Sequence, residues 1–575
     1  MQLTQNTLHQ QNNESEKPCL VEAKQGFSVL YKGRYLYSKY NPSANCLKLA
    51  ENLTHVSENL IIINSPLLGY GLEQLVEKID DKCYIVAIEH ERRLYDFSLD
   101  QGFFDYANFS IAVAKQNKRF SYILIENEAE ALDFFSSDEF QKKIRSCKHI
   151  TSLDFSAINP EHKDFYQRCT DLASLAVSQF WKNRMTMTKL AHLYNKNIFQ
   201  NLQFAADCKT LKKHSISKPI IVFGTGPSLD DFFDCLKKEK SDYVQFINNN
   251  FFTICVDNSL KPLLERGIKC DAVVLVESQL AIEKAFIGTK NADYTLICDL
   301  TSRTNIINYA KKNPETNLAL IFTEYEKLGF LNSIKEMLPE LTRFNPAGSV
   351  GLYAIEIASY LRKAGIPIFF TGLDFSFELG KTHCRNAASH LTRLMTTNKI
   401  EPLLNLASAY KFGSKKIDNT SLFTDISLEG YSKNFIQKYN NLDNLFCLSN
   451  IKLGKIKNIY IKDFIQLSSD LLFSSQKNTE KDEWLSQKTE NERQETAKKI
   501  KDFIDNEIRE LEFIKNSLIN GSSSEESLCQ KINKHEYLFV HFPDGNDGCQ
   551  NNLSFFKRVR SEIDYFLKAL TLLSF

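Results

Sequence analysis

Six short, nearly unbroken apolar runs follow one another through the middle of the chain: Ile220-Ile221-Val222-Phe223, Phe252-Thr253-Ile254-Cys255-Val256, Ala272-Val273-Val274-Leu275-Val276, Tyr294-Thr295-Leu296-Ile297-Cys298, Leu318-Ala319-Leu320-Ile321-Phe322 and Ile366-Pro367-Ile368-Phe369-Phe370. A strand with one wet face alternates apolar and polar residues. A continuous apolar run needs cover on both faces, which is the condition of parallel strands under crossover helices. Most of the intervening stretches are long enough for such helices. The expectation is an α/β fold whose centre, residues 211–470, is a doubly wound, mostly parallel sheet. The ligand crevice of such a sheet lies at the carboxyl ends of the strands.

The chain has 575 residues, more than one ordinary domain holds. Residues 1–18 are polar and rich in Gln, Asn and Glu, which predicts a disordered tail and no signal peptide. Residues 19–210 read as an N-terminal α/β domain with a helical junction. Leu60–Asn64 is a strand, Gly69-Tyr70-Gly71 a turn, the stretch through Val76 a helix, and Tyr84–Glu89 and Tyr122–Ile125 further strands. The distance from the glycines to Glu89 is similar to that in dinucleotide-binding units, and whether this loop binds a ligand stays open. Residues 160–208 turn helical. Residues 471–575 read as a helical C-terminal domain. A polar linker from Lys477 runs into an amphipathic helix, where Ile500, Ile504, Ile508, Leu511, Ile514 and Leu518 recur at three- and four-residue steps. Gly521 stops that helix, Ser522–Glu526 is a loop, and Val559–Leu573 is a last helix.

Composition excludes several classes. A net charge of +1 provides no global field for nucleic acid or an anionic membrane. The 14 cysteines contain no Cys-x-x-Cys pair, so they read as scattered buried thiols in a reducing compartment rather than a zinc or disulfide framework. No run approaches the roughly 18 apolar residues of a membrane span. The expectation is a cytoplasmic protein with no metal and no cofactor.

Chemistry concentrates in the central section. Gly224-Thr225-Gly226-Pro227-Ser228 follows the first strand and opens a helix. Glycines allow a close backbone approach, a helix start offers free amides to an anion, and Ser228 adds a hydroxyl. The third glycine of a dinucleotide fingerprint is missing, and a tight structural turn accounts for the same residues. Asp257-Asn258, Glu277 and Asp299 sit at the next strand ends, placed either to meet a ligand or to cap the following helices, the first of which is expected from Ser259. Asn345-Pro346-Ala347-Gly348-Ser349-Val350-Gly351 forms a second glycine-serine helix start, with a helix expected over Leu352–Ala364. The strand after it ends in Thr371-Gly372-Leu373-Asp374, and His383 follows. A histidine there can act as general base or simply lie at the surface.

Together these motifs resemble the motility-associated factor (Maf) glycosyltransferases of flagellated bacteria and the related family 42 bacterial sialyltransferases. Gly-x-Gly-Pro-Ser-Leu, the Gly348-Ser349-Val350 helix start and Gly372-Leu373-Asp374-Phe375 occur in the same order. Ser38-Lys39-Tyr40-Asn41-Pro42 is similar to a signature of the Maf N-terminal domain, and Asn195 and Asn197 to its Asn-rich junction. The resemblance implies a sialyltransferase-like Rossmann variant. It implies transfer of a nonulosonic acid (pseudaminic, legionaminic or sialic type) from a CMP-activated donor to Ser or Thr of flagellin. It implies that Gly224, Gly226 and Ser228 hold the CMP phosphate, with Thr225 in the same loop. Asp257, Asn258 and Glu277 would contact the nucleotide, with Asp299 at the same edge. Ser349 would face the cytidine or ribose beside Gly348, Gly372 and Asp374 would shape the pocket, and Asp374 would be a catalytic residue together with His383. Thr225 and Glu277 stand where the sialyltransferase pattern has asparagines. His383 is the implied base, with His390 as competitor.

In that scheme the anomeric centre reacts as an oxocarbenium-like ion, CMP leaves, and the base takes the acceptor proton with inversion. Two other classes fit parts of the sequence. One is a 6-hydroxymethylpterin pyrophosphokinase-like enzyme using ATP and Mg²⁺. The other is a non-catalytic flagellin-binding assembly factor.

Overall fold

A computed structural model describes residues 17–101, 119–157, 160–406, 410, 413–418, 420–475, 482–520, 525–545 and 548–573. Nearly all of the predicted tail, Gly521 and most of the loop after it lie outside the described residues. The chain divides into two compact units, Met1–Met187 and Thr188–Phe575.

The first unit holds a four-stranded parallel sheet of β1 (Asn59–Asn64), β2 (Tyr84–Glu89), β3 (Phe120–Leu124) and β4 (His149–Asp154), in the order β3-β2-β1-β4. All six residues of β1 and of β2 are buried, as their apolar runs require. β4 has the sequence His-Ile-Thr-Ser-Leu-Asp and mixed burial. An edge strand with one wet face carries no continuous apolar signal, so the sequence does not announce it. The same holds for a small antiparallel sheet at Cys19–Glu22, Phe27–Tyr31 and Arg34–Tyr35.

The helix α1 (Lys163–Leu202) leads into the second unit. There nine strands form a fully parallel sheet: β5 (Ile220–Phe223), β6 (Phe252–Val256), β7 (Ala272–Leu275), β8 (Thr295–Asp299), β9 (Asn317–Thr323), β10 (Thr342–Phe344), β11 (Ile368–Thr371), β12 (Leu445–Cys447) and β13 (Lys457–Asn458). Their order is β10-β9-β8-β7-β6-β5-β11-β12-β13. All six apolar runs of the sequence are strands, with the last starting at Ile368. β10, β12 and β13 are two- or three-residue strands at or next to the sheet edges, too short for a periodic signal.

The side chains of the strands explain their unbroken apolarity. Ile220, Val222, Ile254, Val256, Ile368 and Phe370 share one core with α4 (Val350–Leu361). Phe223 and Phe369 point to the opposite face, which is filled by aromatic rings. Phe464 stacks against Phe251 with centroids 5.3 Å apart and meets Phe369 edge-on at 5.0 Å. α4 ends at Leu361, before the expected Ala364. Arg362 turns extended there, and its guanidinium donates to Ile366 O and Asp443 O.

The tail helices α6 (Glu490–Asn520) and α7 (Leu553–Thr571) fall in the same compact unit as this sheet. Leu485–Ser486, inside the stretch expected to be linker, pairs with Thr210–Leu211.

The last turns of α1 anchor the strand ends. Asn197 Nδ2 donates to Thr301 O at 2.9 Å, and Asn201 Nδ2 to Leu300 O and Ser302 O at 2.9 and 2.8 Å. Both side chains are buried, so the loop after β8 has its carbonyls answered without water. We expect Asn201→Ala to leave these carbonyls unpaired at about 1–3 kcal/mol each. The check is a thermal melt, where the variant should unfold well below wild type while Asn305→Ala, on the exposed surface, should not.

Candidate functional site

In a doubly wound sheet the crevice opens where the chain reverses its direction of strand addition. Here that point lies between β5 and β11, since strands β6 to β10 extend to one side and β11 to β13 to the other. The loops after β5 and β11 cross at very short range. Gly224 N donates to Thr371 O at 2.8 Å and Gly226 N to Gly372 O at 2.7 Å. A Cβ at Gly226 would lie 2.5 Å from an Asp374 carboxylate oxygen, and one at Gly372, where φ is +75°, 2.5 Å from Gly224 O. A Cβ at Gly224 would collide with Gly372 O. The glycines therefore serve the approach of one loop to the other.

Asp374 is buried and occupies the start of α2 (Ser228–Glu239). Its carboxylate accepts Ser228 N at 2.8 Å and also the Ser228 hydroxyl, while Gly372 N donates to Ser228 Oγ at 3.0 Å. Leu229 N and Asp230 N bond back to Gly226 O and Pro227 O. The first amides of α2 are thus answered by protein, and Ser228 faces Asp374. Thr225 N has no protein acceptor among the described residues. Burial pushes Asp374 up to about 6, against the pull of its Ser228 hydrogen bonds. The next residue, Phe375, has φ +50°, a left-handed backbone rare for a bulky side chain.

A second acid at this helix start fixes the histidine segment. The Asp230 carboxylate has no solvent exposure and pairs with Arg266 at 2.6 Å, Lys381 at 3.4 Å and Arg385 at 3.6 Å. It also accepts Arg385 N at 3.0 Å, and Cys384 N donates to Thr225 O at 2.8 Å. The segment 381–385 is thereby clipped onto the loop after β5, with His383 within it. Thr382 Oγ1 lies 3.0 Å from His383 Nδ1. Burial, and then the charge of Arg393, push His383 down to about 4, so it is a neutral imidazole at neutral pH. His390 lies in the following helix α5 (Ala388–Thr396) and is also shifted down by burial. From the same helix Ser389 donates to Asn258 Oδ1 at 3.1 Å.

The remaining predicted residues line the strand ends from β6 to β8. α3 (Asp257–Glu265) begins at Asp257 itself, two residues earlier than expected, so Asp257 lies inside the helix and does not cap it. Its carboxylate is buried and accepts Asn258 N at 2.7 Å. Burial, with Glu277 nearby, pushes it up to about 7. Asp299 is buried and accepts Thr301 N and Thr301 Oγ1 at 2.8 and 2.6 Å. The Tyr194 hydroxyl is pushed up to about 12 by burial and then by the charges of Glu277 and Asp299. Tyr194 packs on Tyr325 with centroids 5.2 Å apart, and a Cβ at Gly348 would lie 3.3 Å from the Tyr431 ring. Ser349 caps α4, its hydroxyl accepting Leu352 N at 3.4 Å, while the amides of Val350 and Gly351 have no protein acceptor among the described residues.

Asp230, Lys381, Arg385, Ser389 and the tyrosines escaped the sequence reading. Asp230 directly follows the glycine loop and Lys381 and Arg385 flank His383. That proximity was the available signal, but single charges carry no pattern of their own.

In the first unit protein meets part of the Gly69–Gly71 loop, while Ser65 and Glu89 line a cavity with Glu91, His162 and Tyr166. Gly71 has φ +80°, and a Cβ there would lie 2.8 Å from the Cys46 backbone. Tyr37 OH accepts Leu68 N at 3.2 Å. Glu89 is buried against Ser65 Oγ and Tyr166 OH, and burial pushes it up to about 7.

With this geometry in hand, three similarities bear on the chain. The sequence model of the MptE-like family, described as 6-hydroxymethylpterin diphosphokinase MptE-like, matches residues 194–380. A protein of Treponema pallidum (strain Nichols), described as "Uncharacterized protein", is 26% identical over 588 residues, covering 96% of this chain and 95% of its own. The solved MAf glycosyltransferase from Magnetospirillum magneticum AMB-1 superposes with a TM-score of 0.52 at 14% identity, over 97% of this chain and 91% of that one. The likeness shows a shared fold over most of the chain. Among the described residues no helix is long and apolar enough to cross a membrane, and no group of three or more His, Cys, Asp or Glu is arranged to hold a metal ion.

Two outcomes follow. Gly226→Ala should force Asp374 off Ser228 and lower the melting midpoint by several degrees, whereas Gly430→Ala, with open space around it, should not. Asp257 has a folded pKa above its ordinary 3.8, so the stability it contributes is complete below about pH 4 and is lost as pH rises through 7. The melting midpoint of wild type should fall more steeply between about pH 4 and 7 than that of Asp257→Asn.

Proposed function

We propose that this chain is a glycosyltransferase that moves a nonulosonic acid, of pseudaminic, legionaminic or sialic type, from a CMP-activated donor to Ser or Thr hydroxyls of flagellin, in support of flagellar assembly and motility. The observation that carries this reading is the clip of Asp230 on Lys381 and Arg385, which holds a neutral His383 beside a switch-point crevice lined with polar strand ends. The end-to-end likeness to a solved MAf glycosyltransferase supports it.

The donor phosphate would meet the open amides of Val350 and Gly351 and the hydroxyl of Ser349, where the positive end of α4 stabilises charge as CMP departs. Thr225, Asn258 and Glu277 would face the nucleoside. Because Asp374 already fills the start of α2, the Gly224–Ser228 loop would shape the pocket wall. His383 would accept the proton of the attacking hydroxyl. An imidazole held neutral by burial is ready for that role, and an anionic donor beside it would raise its basicity. No step requires a metal ion.

The match to the 6-hydroxymethylpterin diphosphokinase model favours a second reading, pyrophosphoryl transfer from ATP. That match ends at residue 380, before His383 and His390. It covers the nucleotide-holding strand ends and leaves out the segment assigned to acceptor activation here. AMP release from ATP and 6-hydroxymethylpterin would support the diphosphokinase.

The intact mass of flagellin from cells with and without this protein tests the main proposal. The modified form should carry nonulosonic acid increments that vanish in the deletion, and an unchanged mass would overturn it. His383→Ala should lower transfer at least about a hundredfold while CMP binding stays within a few-fold. A non-catalytic flagellin-binding factor would tolerate that substitution.

A further inference from the structure

Two cysteines outside the crevice stand apart from the rest. Most thiols of the chain are buried singly among apolar side chains. Cys529, in the helix Glu525–Ile532, and Cys549, shortly before α7, have their sulfurs 2.9 Å apart and are both partly exposed. This is closer than two sulfur atoms rest without a bond, though longer than the roughly 2.05 Å of a disulfide. The approach is held from both sides. Asn533 N bonds to Cys529 O at 2.9 Å, and the Asn533 side chain accepts Cys549 N at 2.7 Å. Gly548, with φ +81°, makes the turn that brings Cys549 in. Beyond it, Asp544 takes a double hydrogen bond from Arg558 on α7, both at 2.7 Å.

We propose that Cys529 and Cys549 are a modification site that closes to a reversible intrachain disulfide, tying the helix Glu525–Ile532 to the start of α7. The co-reactant is a low-molecular-weight disulfide. The Cys529 thiolate attacks one of its sulfurs and releases one small thiol, giving a mixed disulfide. The Cys549 thiolate then attacks the Cys529 sulfur, forms the Cys529–Cys549 bond and releases the second small thiol. The protein loses two hydrogens and the small disulfide is reduced to two thiols. Burial and the neighbouring Cys529 sulfur push the Cys549 thiol up. Cys255 and Cys270 also face one another but are fully buried, so a soluble oxidant does not reach them, and they serve as an internal control.

The test uses the full chain incubated with oxidised glutathione, quenched with acid, denatured, alkylated and digested for mass spectrometry. The expected product is a cross-linked peptide pair joining Cys529 to Cys549, lighter by two hydrogens and lost on reduction, with Cys255 and Cys270 alkylated. The oxidised protein should melt several degrees above the reduced one, because a cross-link restricts the unfolded chain, and Cys529→Ser should show no oxidant-dependent change. Recovery of both cysteines alkylated after oxidation, or of each as a separate glutathione adduct without the cross-link, would overturn the proposal. Since the wild-type chain alone yields the cross-link result, a poorly folding variant leaves the outcome readable. None of these readouts depends on transferase activity.

Discussion

The contact of Asp374 with Ser228 is the constraint on which the central crevice depends. It joins the loops after β5 and β11, the two strands at which the sheet reverses. A carboxylate buried among apolar residues has to find hydrogen-bond donors, and the amide and hydroxyl at the start of α2 supply them. Once that bond is made, Gly226 has no room for a Cβ, and Gly224 and Gly372 lie back to back. The glycine loop, which by its sequence can cradle a phosphate, is closed by a group of the same sign.

What remains open is determined by neighbouring charges. Asp230, two residues into the same helix, is the centre of three cations, and two of these come from the segment that carries His383. Asp257 and Asp299 are buried and have no basic partner among the described residues, and burial shifts Asp257 up to about 7. Asn197 and Asn201 hold the carbonyls of the loop after β8, and the Tyr194 hydroxyl feels the charges of Glu277 and Asp299. His383 is a neutral imidazole, and the amides of Val350 and Gly351 have no protein acceptor among the described residues.

The first unit shows the same architecture with a different outcome. Its parallel sheet also reverses at the first strand, and a glycine turn follows. There the hydroxyl of Tyr37 answers the Leu68 amide, and Gly71 is required by the passage of the Ala44–Glu51 helix rather than by a ligand. Protein meets this loop at Leu68 and Gly71, while the strand-end acid Glu89 lines a cavity with Ser65 and His162.

Sequence alone determined the parallel sheet, because apolar runs covered on both faces leave an unbroken signal, and all six runs are strands. It also located the loops where polar groups converge, since strand ends in such a sheet are dictated by topology. It missed the short edge strands, whose two or three residues carry no period, and β4, whose face is half wet. Only the tertiary structure decided how the loop residues are used. Whether Ser228 is offered to a ligand or satisfied by Asp374, some 146 residues away in sequence, is a matter of distance between loops. The same is true of Asp230, Lys381 and Arg385, which are isolated charges in the chain and become a clip only when folding brings them within ion-pair range and excludes the water that would otherwise separate them.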